Sequence, residues 1–179
     1  MRPFLALLVV LAAVLSQAWA RPLTDAETAA LADKVAAFDA AMRAGDHAAI
    51  IEVIPPRMIE HIAKEAGVPA EELLAALKGQ IDEIFAAVEL VSFGMDIQAA
   101  EERELADGSP YMLIPTNTVM EAEGLGRVKV DSQTLGLLDG SDWYLVRISD
   151  AAMVVVLRQV YPEFAGVEFP AETMTTLEE

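Results

Sequence analysis

Cysteine is absent from all 179 residues. That excludes disulfide staples, thiolate nucleophiles and cysteine-ligated metals, and it leaves no thiol for a lipid anchor. Histidine is nearly as scarce. His47 and His61 are the only two, and a nucleophilic triad or a zinc centre needs them to meet each other or a carboxylate. Basic residues are few, 12 Lys plus Arg against 29 Asp plus Glu, for a formal net charge of −17. A field of that sign repels phosphate backbones and anionic lipid heads, which excludes nucleic acid as a partner and reads otherwise as a solubilising surface. There is no Gly-x-Ser-x-Gly elbow around Ser109, Ser132, Ser141 or Ser149, and no glycine-rich phosphate loop. Internal repeats, low-complexity tracts and a dividing linker are also missing. No motif in the chain dictates a reaction, and no cofactor is implied.

What is present begins with a leader. Residues 1–20 carry one arginine, Arg2, then an apolar run over 4–15, then Ser16-Gln17-Ala18-Trp19-Ala20. Small residues at the third-last and last places fit a signal-peptidase site. Residues 3–20 are also about long enough for a retained anchor helix, but the Ser16-Gln17 break and the Ala-x-Ala ending favour cleavage after Ala20, giving an exported, periplasmic or secreted, protein with no membrane attachment after cleavage. Loss of Arg2 deepens the net charge to −18 and leaves 159 residues. That is one domain, able to bury roughly 70% of its unfolded surface without staples. The expected division is a signal peptide at 1–20, a single domain at 21–170 and a frayed polar tail at 171–179.

The first half of the domain reads as helical. Thr24-Asp25-Ala26-Glu27 has the spacing of a capping box, so a helix is expected from Asp25 with Leu31, Val35, Phe38 and Met42 on its inner stripe and Gly45 as its stop. Asp46 is placed to cap a second helix through Ile50, Ile51, Val53 and Ile54. Pro55-Pro56 interrupts it, and Pro56 can open a further turn carrying Met58, Ile59 and Ile62 as far as Gly67. Pro69-Ala70-Glu71-Glu72 opens a third helix, whose stripe Leu73, Leu77, Ile81, Ile84, Phe85 and Val88 is the strongest periodic signal in the chain.

After Val88 the period changes to two. Val91, Phe93, Met95, Ile97 and Ala99 alternate with Ser92, Gly94, Asp96, Gln98 and Ala100, which reads as a strand with one core face. A turn at Asp107-Gly108-Ser109-Pro110 leads to a second strand over 111–121. Gly124 and Gly126 turn into a third over 127–138, with Lys129, Asp131 and Gln133 on its outer side. Asp139-Gly140-Ser141-Asp142 is a hairpin signal leading to a fourth strand over 143–148. Ser149-Asp150 caps a last helix over 151–161 through Met153, Leu157 and Val160, although Val154-Val155-Val156 also suits a strand. Helices followed by a short-turned meander give an α+β fold, with N-terminal helices packed on a curved antiparallel sheet of four or more strands and an additional C-terminal helix.

The order of these elements, together with the turn and strand Asp139-Gly140-Ser141-Asp142-Trp143-Tyr144-Leu145-Val146, resembles the nuclear transport factor 2-like superfamily of cone-shaped α+β domains. The resemblance implies a bent sheet wrapping its helices into an open cone, with a pocket inside. It also implies that an Asp or His can serve there as a general base, as in isomerases and cyclases of that superfamily. The segment 150–170 departs from the minimal pattern and leaves open whether the cone stays accessible or is plugged or covered by this added element.

Candidate chemistry is thin. Asp96 and Asp131 lie at outward positions of expected strands, and a strongly curled sheet would bring either into a lined cavity as a base. Tyr111 or Tyr144 would then donate to a developing oxyanion. Met58 and His61 share a helical side and have ligand chemistry suited to copper, but two ligands do not make a site and Met58 is better used as core. Asp139 and Asp142 do not form a calcium loop, because the twelfth position is Asp150 and a strand intervenes. The leading expectation is a non-catalytic domain binding a small apolar molecule or a protein partner through the concave side of its sheet. The rivals are a small isomerase with a carboxylate base, and a structural homodimer that buries its apolar concavity against its own mate.

Overall fold

A computed structural model of the chain describes residues 21–122, 124 and 126–177. The expected signal peptide lies outside the described residues. The fold is α+β. Helices α1 (Asp25–Arg43), α2 (Ala49–Glu52), α3 (Pro56–Ala66) and α4 (Ala70–Ala87) precede strands β1 (Val88–Met95), β2 (Glu101–Glu104), β3 (Pro110–Ala122), β4 (Gly126–Asp139) and β5 (Asp142–Arg147). Helix α5 (Ala151–Val160) and a last strand, β6 (Thr173–Leu177), complete the chain. All pairings are antiparallel. The sheet curls into a half-barrel around its two longest strands, β3 and β4. β1 and β2 share the free side of β3, while β5 and β6 share the free side of β4. No helix among the described residues is long and apolar enough to cross a membrane.

Strand β3 has 13 residues and, at ~3.3 Å per residue, is about 43 Å long, too long to be covered by one layer. Composition follows the covering. Around Tyr111-Met112-Leu113-Ile114, Leu135-Gly136-Leu137-Leu138 and Trp143-Tyr144-Leu145-Val146 both faces are covered, and the strands run apolar without alternation. On one face Ile114, Trp143 and Leu145 pack with Leu31 and Val35 of α1. On the other, Tyr111, Leu113, Leu135, Leu137 and Val146 pack with Leu157, Tyr161 and Phe164 from α5 and the turn after it, and with Met58 of α3. Met58, Leu135, Leu157 and Phe164 are fully buried, each stabilising the fold by ~1.5–3 kcal/mol. Beyond Pro115 only the inner face is covered. There Thr116, Thr118 and Met120 point in, while Asn117 and Glu121 point out.

Local chemistry sets the helix boundaries. Glu27 N–H donates to Thr24 Oγ1 at 3.2 Å, and Thr24 N–H donates back to Glu27 Oε2 at 2.8 Å. Trp143 then ties this first turn to the sheet, its indole N–H donating to the Glu27 carbonyl at 2.9 Å. The buried Pro55 ends α2 after a single turn, and the Val53 carbonyl beside it accepts from Leu145 N–H at 2.8 Å, occupying the free edge of β5. Asp46 does not cap α2, which has no side-chain cap.

Three further expectations are corrected. β1 begins at Val88 and carries a bulge between Leu90 and Ser92. Val88 and Leu90 before the bulge therefore face inward together with Phe93 after it, and the bulged Val91, expected in the core, is 40% exposed. The strand ends at Met95, and Asp96 caps a single 3₁₀ turn over Ile97–Ala99, accepting from the Gln98 and Ala99 amides at 3.1 Å each. The tail, expected to fray, places Thr173–Leu177 beside Arg127–Asp131 of β4. The segment 150–170, whose relation to the cone the sequence left open, packs on the sheet face opposite α1 and α4 and brings Asp150 and Met153 to the rim of the concave side. In the β4–β5 hairpin the two loop residues are Gly140 and Ser141, with Asp139 paired to Asp142. Gly140 has φ +66°, so glycine takes the first central position, as a type II′ turn requires.

Two tests follow from this packing. A Cβ at Gly136 would sit 3.2 Å from Met112 Cβ and 3.4 Å from Leu31 Cδ1, so α1 lies directly on β4 there. Gly136→Val should destabilise by about 1–3 kcal/mol in denaturant unfolding, with the slope of the transition unchanged. The Glu27 carboxyl, bound first by Arg21 and then by Thr24, is drawn from its ordinary 4.5 down to about 2. Its lowered value means that its contribution is complete above the ordinary value and is lost as pH falls toward 2. Glu27→Gln should therefore lower the thermal unfolding midpoint at neutral pH, and the gap to wild type should close between those two pH values.

Candidate functional site

The curl leaves a cavity of about 380 Å³ between the concave face of the sheet and helices α1, α2 and α4. This falls within the ~300–1,000 Å³ of small-molecule sites. Phe38 and Met42 of α1, Ile50 of α2, Val53 and Ile54 after it, and Ile81, Ile84 and Phe85 of α4 form the helical walls. Val88, Leu90 and Phe93 of β1 close one side, and Phe38 and Phe93 meet edge to face with ring centroids 5.6 Å apart. The floor is the inward set of β3 and β4: Thr116, Thr118 and Met120 beside Val130, Ser132 and Thr134. Leu145, Val146, Arg147, Asp150 and Met153 complete the far rim.

Polarity in this lining is confined to hydroxyls on the floor and two charged residues at the rim, Arg147 and Asp150, which do not pair with each other. Thr116 Oγ1 donates to the Ile114 carbonyl at 3.1 Å and shares a 2.8 Å hydrogen bond with Thr134 Oγ1. Arg147 has a side chain 69% exposed, donates to Ser149 Oγ at 2.9 Å and pairs with Glu172 at 3.3 Å. Asp150 accepts from the Ala152 and Met153 amides and so caps α5. The carboxylate nearest the floor, Asp39, lies in the adjoining groove and is paired with Arg43, and the arrangement suits enclosure of apolar matter better than transfer of a proton.

The four residues singled out from the sequence all lie outside this cavity. Asp96 and Asp131 are brought together, but along an open groove on the rim side of the sheet that adjoins the cavity at Thr116 and Ser132 and also includes Asp39, Arg43 and Asn117. Lys129 Nζ lies 2.9 Å from Asp131 and Asn117 Nδ2 donates to it at 2.6 Å. Lys129 first, then Asn117, holds its carboxyl below the usual carboxylate range, the reverse of what a general base needs. Tyr111 is buried on the opposite face against Phe164, where desolvation raises its phenol. Tyr144 is on that same face, its phenol raised by desolvation and then by Asp142 and Asp139. His61 meets Gln159 of α5 at 3.1 Å, and Met58 is core. His47 stacks on Phe85 with centroids 3.6 Å apart, bracing one cavity wall from outside.

Thr116, Thr118 and Thr134 are lining residues that sequence reasoning passed over, and Ser132 entered it only as a serine without a nucleophile elbow. Their signal was the period of two: threonine and serine recur at inward positions between Ile114 and Met120 on β3 and between Val130 and Leu138 on β4. Helix α4 is where its periodicity predicts it, but its packing is unusual. Eighteen residues long, it buries none of them, and Ile84 is 53% exposed. It is the wall with the least holding it in place.

Backbone amides of residues 70–87 should accordingly exchange faster than those of α1. A methyl group at Gly79 would meet no atom within 4 Å, so Gly79→Ala should stabilise α4 by about 0.5–1 kcal/mol. Hydrogen exchange followed by mass spectrometry reads both effects. Compared with known families, with characterised proteins and with solved structures, the chain matches none.

Proposed function

We propose that this chain is an exported, non-catalytic binding domain that holds a small apolar molecule in the cavity between its sheet and α4. The observation that carries the proposal is the contrast between the lining and the candidate catalysts. Aliphatic and aromatic side chains from four helices and four strands converge on about 380 Å³, while Asp96, Asp131, Tyr111 and Tyr144 are all elsewhere. Binding draws its energy from the apolar area removed from water, ~25 cal/mol per Å² before the cost of association. The order of helices, curled sheet and enclosed pocket supports kinship with the cone-shaped superfamily that the sequence resembles. A carboxylate-base isomerase draws less support, because Asp96 is occupied as a turn cap and Asp131 is held ionised by Lys129.

N-phenylnaphthylamine, a neutral dye that brightens in apolar surroundings, tests the proposal on the purified chain. The expected result is saturable binding at one site per chain. Met120→Trp, which fills the floor, should weaken it by about tenfold or more, a change of ~1.4 kcal/mol, with the unfolding midpoint within a few degrees of wild type. A folded wild-type protein that shows no saturable binding would falsify the proposal.

A further inference from the structure

Resting on the cavity reading, the hydroxyls of the floor narrow the chemistry of the occupant. Thr116 and Ser132 face each other across β3 and β4, Thr118 follows on the same face of β3, and Thr134 on that of β4. Their protons are unequally committed. Thr116 gives its proton to the Ile114 carbonyl, so the bond between the two threonines takes its proton from Thr134. Thr118 and Ser132 make no hydrogen bond within the described residues and open onto the cavity. Each keeps a donor and two acceptor sites in an otherwise apolar enclosure. A hydroxyl withdrawn from water without a partner is costly, so a ligand that fills the cavity must bring a hydrogen-bonding group to this point.

That group is uncharged. Two cations come near the floor and both are already paired: Arg147, at the rim, is bound to Ser149 and Glu172, and Arg43, which borders the adjoining groove together with Thr116 and Ser132, is bound to Asp39. The chain as a whole carries −17, which repels an anionic head. A cationic head meets carboxylates that are already engaged, because Asp150 is at the rim with its oxygen directed to the α5 amides and Asp39, in the groove beside Ser132, is paired with Arg43. We infer that the ligand is a neutral amphiphile, an apolar body bearing one hydroxyl or carbonyl group that hydrogen-bonds to Thr118 and Ser132.

Calorimetric titration with naphthalene, naphthol and naphthoate at neutral pH separates the alternatives, since the three share one body and differ in a single polar group. Naphthol should bind about tenfold more tightly than naphthalene, and naphthoate should be the weakest. In the double variant Thr118→Val, Ser132→Ala the preference of naphthol over naphthalene should fall to near one, with folding checked by the unfolding midpoint. Naphthoate binding as tightly as naphthol overturns the inference. So does a naphthol preference that survives the double variant, since water would then be satisfying the two hydroxyls. Binding of none of the three by folded protein fails the cavity reading itself, whereas naphthalene binding equal to that of naphthol fails only the assignment of the polar group.

Discussion

The pairing of β3 with β4 is the constraint on which the rest of the molecule depends. It runs without a break from Tyr111 opposite Leu137 to Ala122 opposite Gly126, and it makes a ribbon longer than any single layer of helices can cover. The chain meets this by dividing the ribbon. At the hairpin end, α1 covers one face and α5 the other, so both sets of side chains are sealed. At the opposite end only the inner face is roofed, by α4 and the ends of α1 and α2, and the roof stands off the floor. Stability and cavity thus belong to opposite ends of one strand pair, with Thr116 at the boundary as the one buried polar residue among those described.

Polar contacts tie the layers together at specific points. Tyr161 donates to Asp139 at 2.7 Å, and the Arg57 guanidinium stacks on the same ring, joining α3, the β4–β5 hairpin and the end of α5. Burial, then the Asp139 carboxylate, pushes that phenol well above its ordinary range, so it is a fixed donor at every physiological pH. The Trp143 indole does the same for α1, and the Val53 carbonyl does so for α2. Helix α4 has no comparable side-chain bond to the sheet among the described residues. What holds it is an apolar stripe over a partly empty space.

Much of this order was legible in the residues themselves, because it depends on local chemistry. Thr24 and Glu27 announce the start of α1, Pro55-Pro56 forces the break before α3, and Gly140 sets the hairpin. Each acts within a turn of its own position. The misreadings share a different cause. Periodicity assumes an unbroken register, and the extra residue at Val91 reverses the faces after it, so an alternation counted from Val91 is out of phase with Leu90. Asp96 looked like a strand residue because its neighbours alternate, yet its short carboxylate offered the backbone a turn instead. Thr173–Leu177 has no buried face to betray it, since its residues are nearly all exposed and its strand exists through backbone pairing with β4. The cavity was hidden for a related reason. A stripe such as Ile81, Ile84 and Phe85 states that a helix wants an apolar neighbour, but not whether the neighbour is packed protein or empty space.

The bare inner face of α4 also bears on how such a protein can diverge. In a close-packed core each change of side chain is felt by neighbours that have settled around it. Ile81, Ile84 and Phe85 have no such neighbours over much of their surface, and the two clusters that hold the sheet together do not include them. Substitution along that stripe reshapes the enclosed volume while the β3–β4 ribbon and its covering helices keep their contacts. Descendants of this chain are free to exchange one guest for another by altering one turn or two of a single helix, with the scaffold inherited intact.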